Sequence, residues 1–264
     1  MNEPTLTGIH VYPIKSCAGT SVSSWNADDL GLAFDRRRML VDEENVFLSQ
    51  RELPKMSLIK PEINEDHLSI TAPDMPRLEV PFEPEGSRAL ARVWRDLVEV
   101  VPVGTDADRW FSEFLGTGCR LVNFPDDSIR RVDQDFANPE DHVHLADGFP
   151  FLLISEESLE NLNERLEHPL PMNRFRPNLV VSGVEPFAED GWKSVRIGEL
   201  SFRVAKPCAR CAITTVNQTT GDKGKEPLTT LAKFRNSPTG VLFGQNLIHE
   251  SPGSLRVGDA VEFV

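Results

Sequence analysis

The sequence predicts a mainly β, α+β protein, and three observations carry that prediction. Apolar and β-branched residues gather in many short stretches, proline and glycine fall between them, and only three stretches space their apolar residues as a helix does. Short strands with frequent turns belong to barrels or sandwiches, and twenty prolines suit edge strands and irregular connections.

Taken in order, residues 5–13 alternate apolar and polar around Leu6, Ile9 and Val11, which predicts the opening strand. Residues 38–41, 67–71, 93–103, 179–182 and 261–264 are further strand candidates, each apolar or β-branched. A helix is predicted over 106–115, where Trp110, Phe111, Phe114 and Leu115 share one face and Gly116 offers a stop. Ser155 is placed to cap a second helix with Glu156 and Glu157 in its first turn, where the helix dipole favours negative charge. Leu159, Leu162 and Leu166 form its apolar stripe. A third helix is expected to start near Pro227, which sacrifices no hydrogen bond there, and to bury Leu228, Leu231 and Phe234. Residues 125–150 are polar and aperiodic, a long loop joining two β-rich halves; the expected division is 1–120 and 121–264.

Charge narrows the function. A net charge of −13 disfavours binding to nucleic acid or an anionic membrane, since both require positive surface. No apolar run approaches the ~18–20 residues that span a bilayer, and the first residues lack the basic-then-apolar pattern of a signal peptide. Four cysteines at these spacings form no disulfide framework, which points to a reducing, cytoplasmic setting. Nucleotide-binding glycine loops, the serine-hydrolase elbow and the H-E-x-x-H zinc motif are all missing.

The densest information lies in Lys206-Pro207-Cys208-Ala209-Arg210-Cys211. Zinc would need two further ligands, and Cys17 and Cys119 supply no second close pair. His142 and His144 form an H-x-H more typical of two surface residues on one face. A redox dithiol would open a helix, whereas Ala212-Ile213-Thr214-Thr215-Val216 reads as a strand. Two buried structural thiols fit the spacing as well as one thiolate on a soft metal does. Lys206 and Arg210 would favour that thiolate. Three basic stations complete the picture: Lys15-Ser16 at a strand end, Asp35-Arg36-Arg37-Arg38, and Arg174-Phe175-Arg176-Pro177-Asn178. Singly, each is weak, and any one arginine is better explained as solvated or paired with a surface carboxylate; together they suit an anionic, metal-bearing ligand.

Several motifs in fixed order carry a resemblance. They are Tyr12-Pro13-Ile14-Lys15-Ser16-Cys17, Gly31-Leu32 through Asp35-Arg36, Met39-Leu40-Val41, Gln50-Arg51 and Pro150-Phe151-Leu152-Leu153-Ile154-Ser155. Phe175-Arg176-Pro177-Asn178, Cys208-Ala209-Arg210-Cys211, Lys225-Glu226-Pro227-Leu228, Phe243-Gly244-Gln245 and Val257-Gly258-Asp259 follow. Over almost its whole length the chain resembles MOSC proteins that carry an N-terminal MOSC β-barrel domain. The resemblance implies a β-barrel-like domain over 1–120, a MOSC β-barrel domain over 121–264, and a molybdenum–molybdopterin cofactor. It assigns Cys211 as metal ligand and catalytic residue, and Lys15, Ser16, Arg36, Asp147, Arg176, Asn178 and Arg210 as cofactor-binding. The family is also described as binding pyridoxal phosphate.

The implied activity is two-electron reduction of small N-hydroxylated substrates, such as amidoximes, hydroxylamines and N-hydroxylated bases. A carrier of sulfur or of the cofactor, with a persulfide on Cys211 or Cys208, is the alternative. With no iron–sulfur cysteine series, electrons are expected from an external ferredoxin-, flavodoxin- or cytochrome-type donor with its reductase. One departure stands out: Phe149 takes a position where relatives place a small hydroxyl residue.

Overall fold

The computed structural model describes residues 3–263. Its principal sheet has nine strands. In spatial order eight of them are Val261–Phe263, Ser194–Ile197, Leu200–Ala209, Gly240–His249, Phe151–Ser155, Leu179–Ser182, Thr5–Val11 and Thr20–Val22. Asn236–Ser237 adds to Gly240–His249. One pairing, Phe151–Ser155 with Leu179–Ser182, is parallel, and a helix makes the crossover as parallel neighbours require. A four-stranded sheet orders Arg38–Val41, Arg120–Asn123, Asp96–Pro102 and Ala89–Val93. Two three-stranded sheets complete the β structure, so the mainly β expectation stands.

Pairing joins residues on both sides of position 120. Thr5–Val11 lies antiparallel to Leu179–Ser182, and Ser24–Asp28 to Gly253–Arg256. Leu6 and Ile9 are therefore buried with Val181, Phe202 and Leu247, a core drawn from both ends of the chain. A second core surrounds the first helix, Thr105–Leu115. Its Trp110, Phe111 and Leu115 face Met56, Leu68 and Ile70, and Gly116 ends it in the left-handed conformation.

Ser155 caps the second helix, Glu156–Asn163, by accepting the Ser158 N–H. The same hydroxyl donates to Glu189, a carboxylate only 1% exposed that also accepts from Ser158 and the Ser155 N–H. Burial raises the Glu189 carboxyl above its ordinary value, while those hydrogen bonds oppose the rise.

Four expectations are corrected. The 93–103 strand starts later than expected, at Asp96–Pro102, because the chain turns at Trp94, whose φ is 56°, on leaving the preceding strand Ala89–Val93. The third helix is a single turn, Leu228–Leu231, so Phe234 lies beyond it at 38% exposure, against Phe187 and the Arg165 guanidinium. His144 is buried rather than on the surface, with Phe124 edge-on to its ring; burial holds it well below its usual pKa, and Arg37 adds to the effect. Residues 212–216 are not a strand: Ala212–Thr215 is a 3-10 turn, because the hydroxyls of Thr214 and Thr215 donate to the carbonyls of Cys211 and Ala212. Val264, at the end of the last predicted strand, lies outside the described residues.

No helix among the described residues is long and apolar enough to cross a membrane. Glu189→Ala strips three buried donors of their acceptor and is expected to destabilise the fold by about 3 kcal/mol, read as a lowered urea midpoint with unchanged slope.

Candidate active site

Lys15, Ser16, Arg36, Asp147, Arg176, Asn178, Arg210 and Cys211 all line one cleft. The first three come from the opening strand's end and the turn before Arg38–Val41; the others come from the second half. Backbone hydrogen bonds lace these segments together. Arg36 N–H donates to the Tyr12 carbonyl at 2.7 Å, Lys15 N–H to that of Arg38 at 2.7 Å, and Leu145 N–H to that of Arg36 at 3.0 Å.

Each cation in the cleft has a partner. Buried Asp35 accepts the Tyr12 N–H at 2.8 Å and pairs with Arg36, which also donates to Asn178 Oδ1 at 2.9 Å. Arg176 donates to the Cys17 carbonyl at 2.6 Å. The guanidinium groups of Arg36 and Arg176 each lie 4.3 Å from the Tyr12 ring centroid, within cation–π range of that buried ring. Burial pushes the Tyr12 hydroxyl up to about 12 against the pull of both arginines. Ser16, Arg36 and Arg176 all have left-handed backbones, with φ of 66°, 48° and 55°. Such conformations cost about 1 kcal/mol or more for residues with a Cβ, and their concentration at one cleft marks a site held in shape by its surroundings.

Lys15 and Asp147 form a second unit. Lys15 Nζ donates to the Leu145 carbonyl at 2.8 Å and to Asp147 Oδ1 at 2.5 Å. Burial pulls the Lys15 ammonium down to about 8; Asp147 opposes that shift, and Arg130 and Arg36 add to it. For Asp147, burial acts to raise the carboxyl, but Lys15, Arg51 and the Trp94 N–H together hold it well below the usual carboxylate range. Arg130 fixes this wall by donating to the carbonyls of His144, Ala146 and Asp147 and to the Asp96 carboxylate.

The strand Leu200–Ala209 and the 3-10 turn after it place the two cysteines differently. Cys208 receives Arg210 Nη1 at 3.0 Å, whereas Cys211 receives Arg51 Nη2 at 3.2 Å. Lys206 serves neither thiol. It pairs with Asp133 at 3.1 Å and sits over Phe136 and Phe149, a corrected expectation. Cys17 and Cys119 are buried free thiols, raised by burial, Cys17 to about 12. Phe149 lines the cleft and offers no hydroxyl.

Nothing in the spacing of the sequence places Tyr12, Gln50, Arg51 and Trp94 at the site, yet the structure brings all four to it. Gln50 is buried, donates to the Ser16 carbonyl at 2.7 Å and pairs with Gln218. The Gln50-Arg51 dipeptide was the available signal, but nothing local ties it to a cysteine 160 residues away.

The donor set fits a bound anionic group better than a bare ion. Among the described residues no group of three or more His, Cys, Asp or Glu is placed to hold a metal by itself. The cleft instead offers two partly exposed thiols, Cys208 and Cys211, flanked by guanidinium, ammonium and amide donors. Arg210 Nε is buried there without a hydrogen-bond partner among the described residues. A ligand bringing its own sulfur donors and a phosphate would complete both deficits.

Comparison with known proteins agrees in order and extent. A model described as the MOSC N-terminal beta barrel domain matches residues 3–118, and one described as the MOSC domain matches 140–262. The chain is 36% identical to "Mitochondrial amidoxime-reducing component 1" of Mus musculus, over 97% of this chain and 81% of that protein. It is 34% identical to the Homo sapiens protein of the same name, over 97% and 82%. "Molybdenum cofactor sulfurase" of Danio rerio is 34% identical over 94% of this chain, which spans 32% of that longer protein. Two domain models matched in sequence order, together with relatives this similar over nearly full length, place the chain in the MOSC family.

Proposed function

We propose that the protein is a molybdenum-cofactor-dependent oxidoreductase that reduces N-hydroxylated compounds, namely amidoximes, hydroxylamines and N-hydroxylated bases. The observation that carries this reading is the cleft's donor set: the partly exposed thiols of Cys211 and Cys208 share one lining with Lys15, Arg36, Arg176 and Arg210. The similarity to amidoxime-reducing components supports the choice of substrate.

In this reading Cys211 supplies the protein's thiolate to molybdenum, and Lys15, Ser16, Arg36, Arg176, Asn178 and Arg210 hold the pterin and its phosphate. When bound, the cofactor supplies the two electrons that cleave the N–O bond; two protons complete the release of water. Asp147 stays ionised near neutrality because Lys15 and Arg51 hold it low, so it is no proton donor there. Its part is to fix Lys15. Lys15, at about 8, carries a proton near neutrality and is the cleft group best able to give one up. Tyr12, stacked between Arg36 and Arg176, orients both guanidiniums. Electrons come from an external ferredoxin-, flavodoxin- or cytochrome-type donor. Four free cysteines accord with a cytoplasmic location.

For pyridoxal phosphate, the lysine in this cleft lining is Lys15, already engaged by Asp147 and the Leu145 carbonyl; phosphate recognition is the part of that expectation the cleft favours. The similarity to molybdenum cofactor sulfurase favours a second reading, a carrier with a persulfide on Cys211 or Cys208.

Protein from a cofactor-producing host is expected to contain stoichiometric molybdenum and pterin, and with a chemical reductant to reduce benzamidoxime. Cys211→Ala is expected to lower turnover by more than ~100-fold. A Cys211→Ala variant turning over at the wild-type rate sinks the reading, and a labile sulfur adduct in metal-free protein supports the carrier instead. The Lys15 charge is present at neutral pH and lost from the empty cleft as pH rises through about 8, so rebinding of cofactor to the apoprotein is expected to weaken through that value. Lys15→Met is expected to rebind cofactor weakly at every pH, without that step.

A further inference from the structure

The Gln50-Arg51 block, from the first half of the chain, has no part in the proposed chemistry as described so far. Its geometry is nonetheless specific. Arg51 Nη2 donates to Cys211 Sγ at 3.2 Å and lies 3.5 Å from Asp147 Oδ2. The guanidinium stacks 4.5 Å from the Trp94 ring centroid, and Nη1 lies 3.4 Å from the Ser49 hydroxyl. Trp94 in turn donates to Asp147 Oδ1 at 3.3 Å. The Arg51 carbonyl is held by Lys223 at 2.8 Å, and neighbouring Gln50 is anchored to Ser16 and Gln218. A guanidinium met by Ser49, Trp94, Asp147 and Cys211, on a backbone tied by Lys223, is a rigid donor aimed at one sulfur.

We propose that Arg51 is a positioning residue for the metal thiolate: it fixes the Cys211 sulfur and withdraws charge from it, with Trp94 as the plate that holds the guanidinium in place. The inference rests on Cys211 being the metal ligand. A hydrogen bond and a positive charge at a ligating sulfur weaken its donation to the metal and raise the metal's reduction potential. The side chain therefore makes the bound metal easier to reduce by an external donor.

The test compares wild type, Arg51→Met, Arg51→Lys and Trp94→Ala, all loaded in a cofactor-producing host. Molybdenum content, thermal midpoint, metal midpoint potential by EPR-monitored titration, and kcat and KM for benzamidoxime are measured. Loaded Arg51→Met is expected to show a more negative potential and a kcat lowered about tenfold at unchanged KM. Arg51→Lys, which keeps a cation and a donor, is expected to recover most of both. Trp94→Ala, which keeps the donor but frees it, is expected to fall between wild type and Arg51→Met. Wild-type potential in loaded Arg51→Met overturns the proposal. So does a raised KM at unchanged potential, which would make Arg51 a substrate contact. Should Arg51→Met fail to fold or load, Trp94→Ala decides: a negative shift supports the role and an unshifted potential overturns it. Wild type without molybdenum refutes the functional reading itself, and this proposal with it.

Discussion

Bringing several cations into one partly buried cleft is costly, and the surrounding structure is organised around that cost. Lys15, Arg36, Arg51, Arg176 and Arg210 converge within a chain whose net charge is −13. Buried charge is tolerated only when paired or hydrogen-bonded. Here Asp35 takes Arg36, Asp147 takes Lys15 and Arg51, backbone carbonyls of Cys17 and Phe175 take Arg176 and Arg210, and Tyr12 presents its ring to two guanidiniums. Compensation is incomplete: Arg210 Nε is buried with no hydrogen-bond partner among the described residues, and burial lowers the Lys15 ammonium and the Arg176 guanidinium. That residual excess of donors is what an anionic ligand would satisfy.

The cleft is divided between the two halves of the chain. The first contributes Lys15, Ser16, Arg36, Arg51 and Trp94; the second contributes Asp147, Arg176, Asn178, Arg210 and Cys211. Neither set is a site alone. What joins them is the principal sheet, where the opening strand pairs directly with Leu179–Ser182, so the end of that strand arrives beside Arg176 and Asn178. The His10 N–H to Asn178 carbonyl bond, at 2.8 Å, is the last rung of that pairing before the cleft. The left-handed turns at Ser16, Arg36 and Arg176 then redirect the chain around it.

Much of this was legible residue by residue. Amphipathic spacing located the helix Thr105–Leu115, the Ser155 cap was readable as a cap, and the three basic stations together pointed to an anionic ligand. The errors have local causes. Residues 212–216 look like a strand because threonine and isoleucine favour one, yet the threonine hydroxyls bond back to preceding carbonyls and close a turn. Phe234 looked like part of an apolar stripe because a stripe presumes a helix of several turns, and this helix has one. Lys206 looked like a thiol's neighbour because it lies two residues before Cys208, but the strand shifts register on both sides of Lys206-Pro207, and the side chain meets Asp133 instead.

By itself the sequence determined the β-rich class, the positions of its helices within a few residues, and the inventory of groups able to bind an anion and a soft metal. Those properties depend on period and side-chain chemistry, which are local. Only the tertiary structure decided which thiol meets which cation. Arg210, two residues from Cys208, serves that sulfur, while Cys211 is met by Arg51, 160 residues away, across the seam between the halves. Such a pairing is set by sheet registry and by the stacking of Arg51 on Trp94, neither of which leaves a trace in the spacing of residues along the chain.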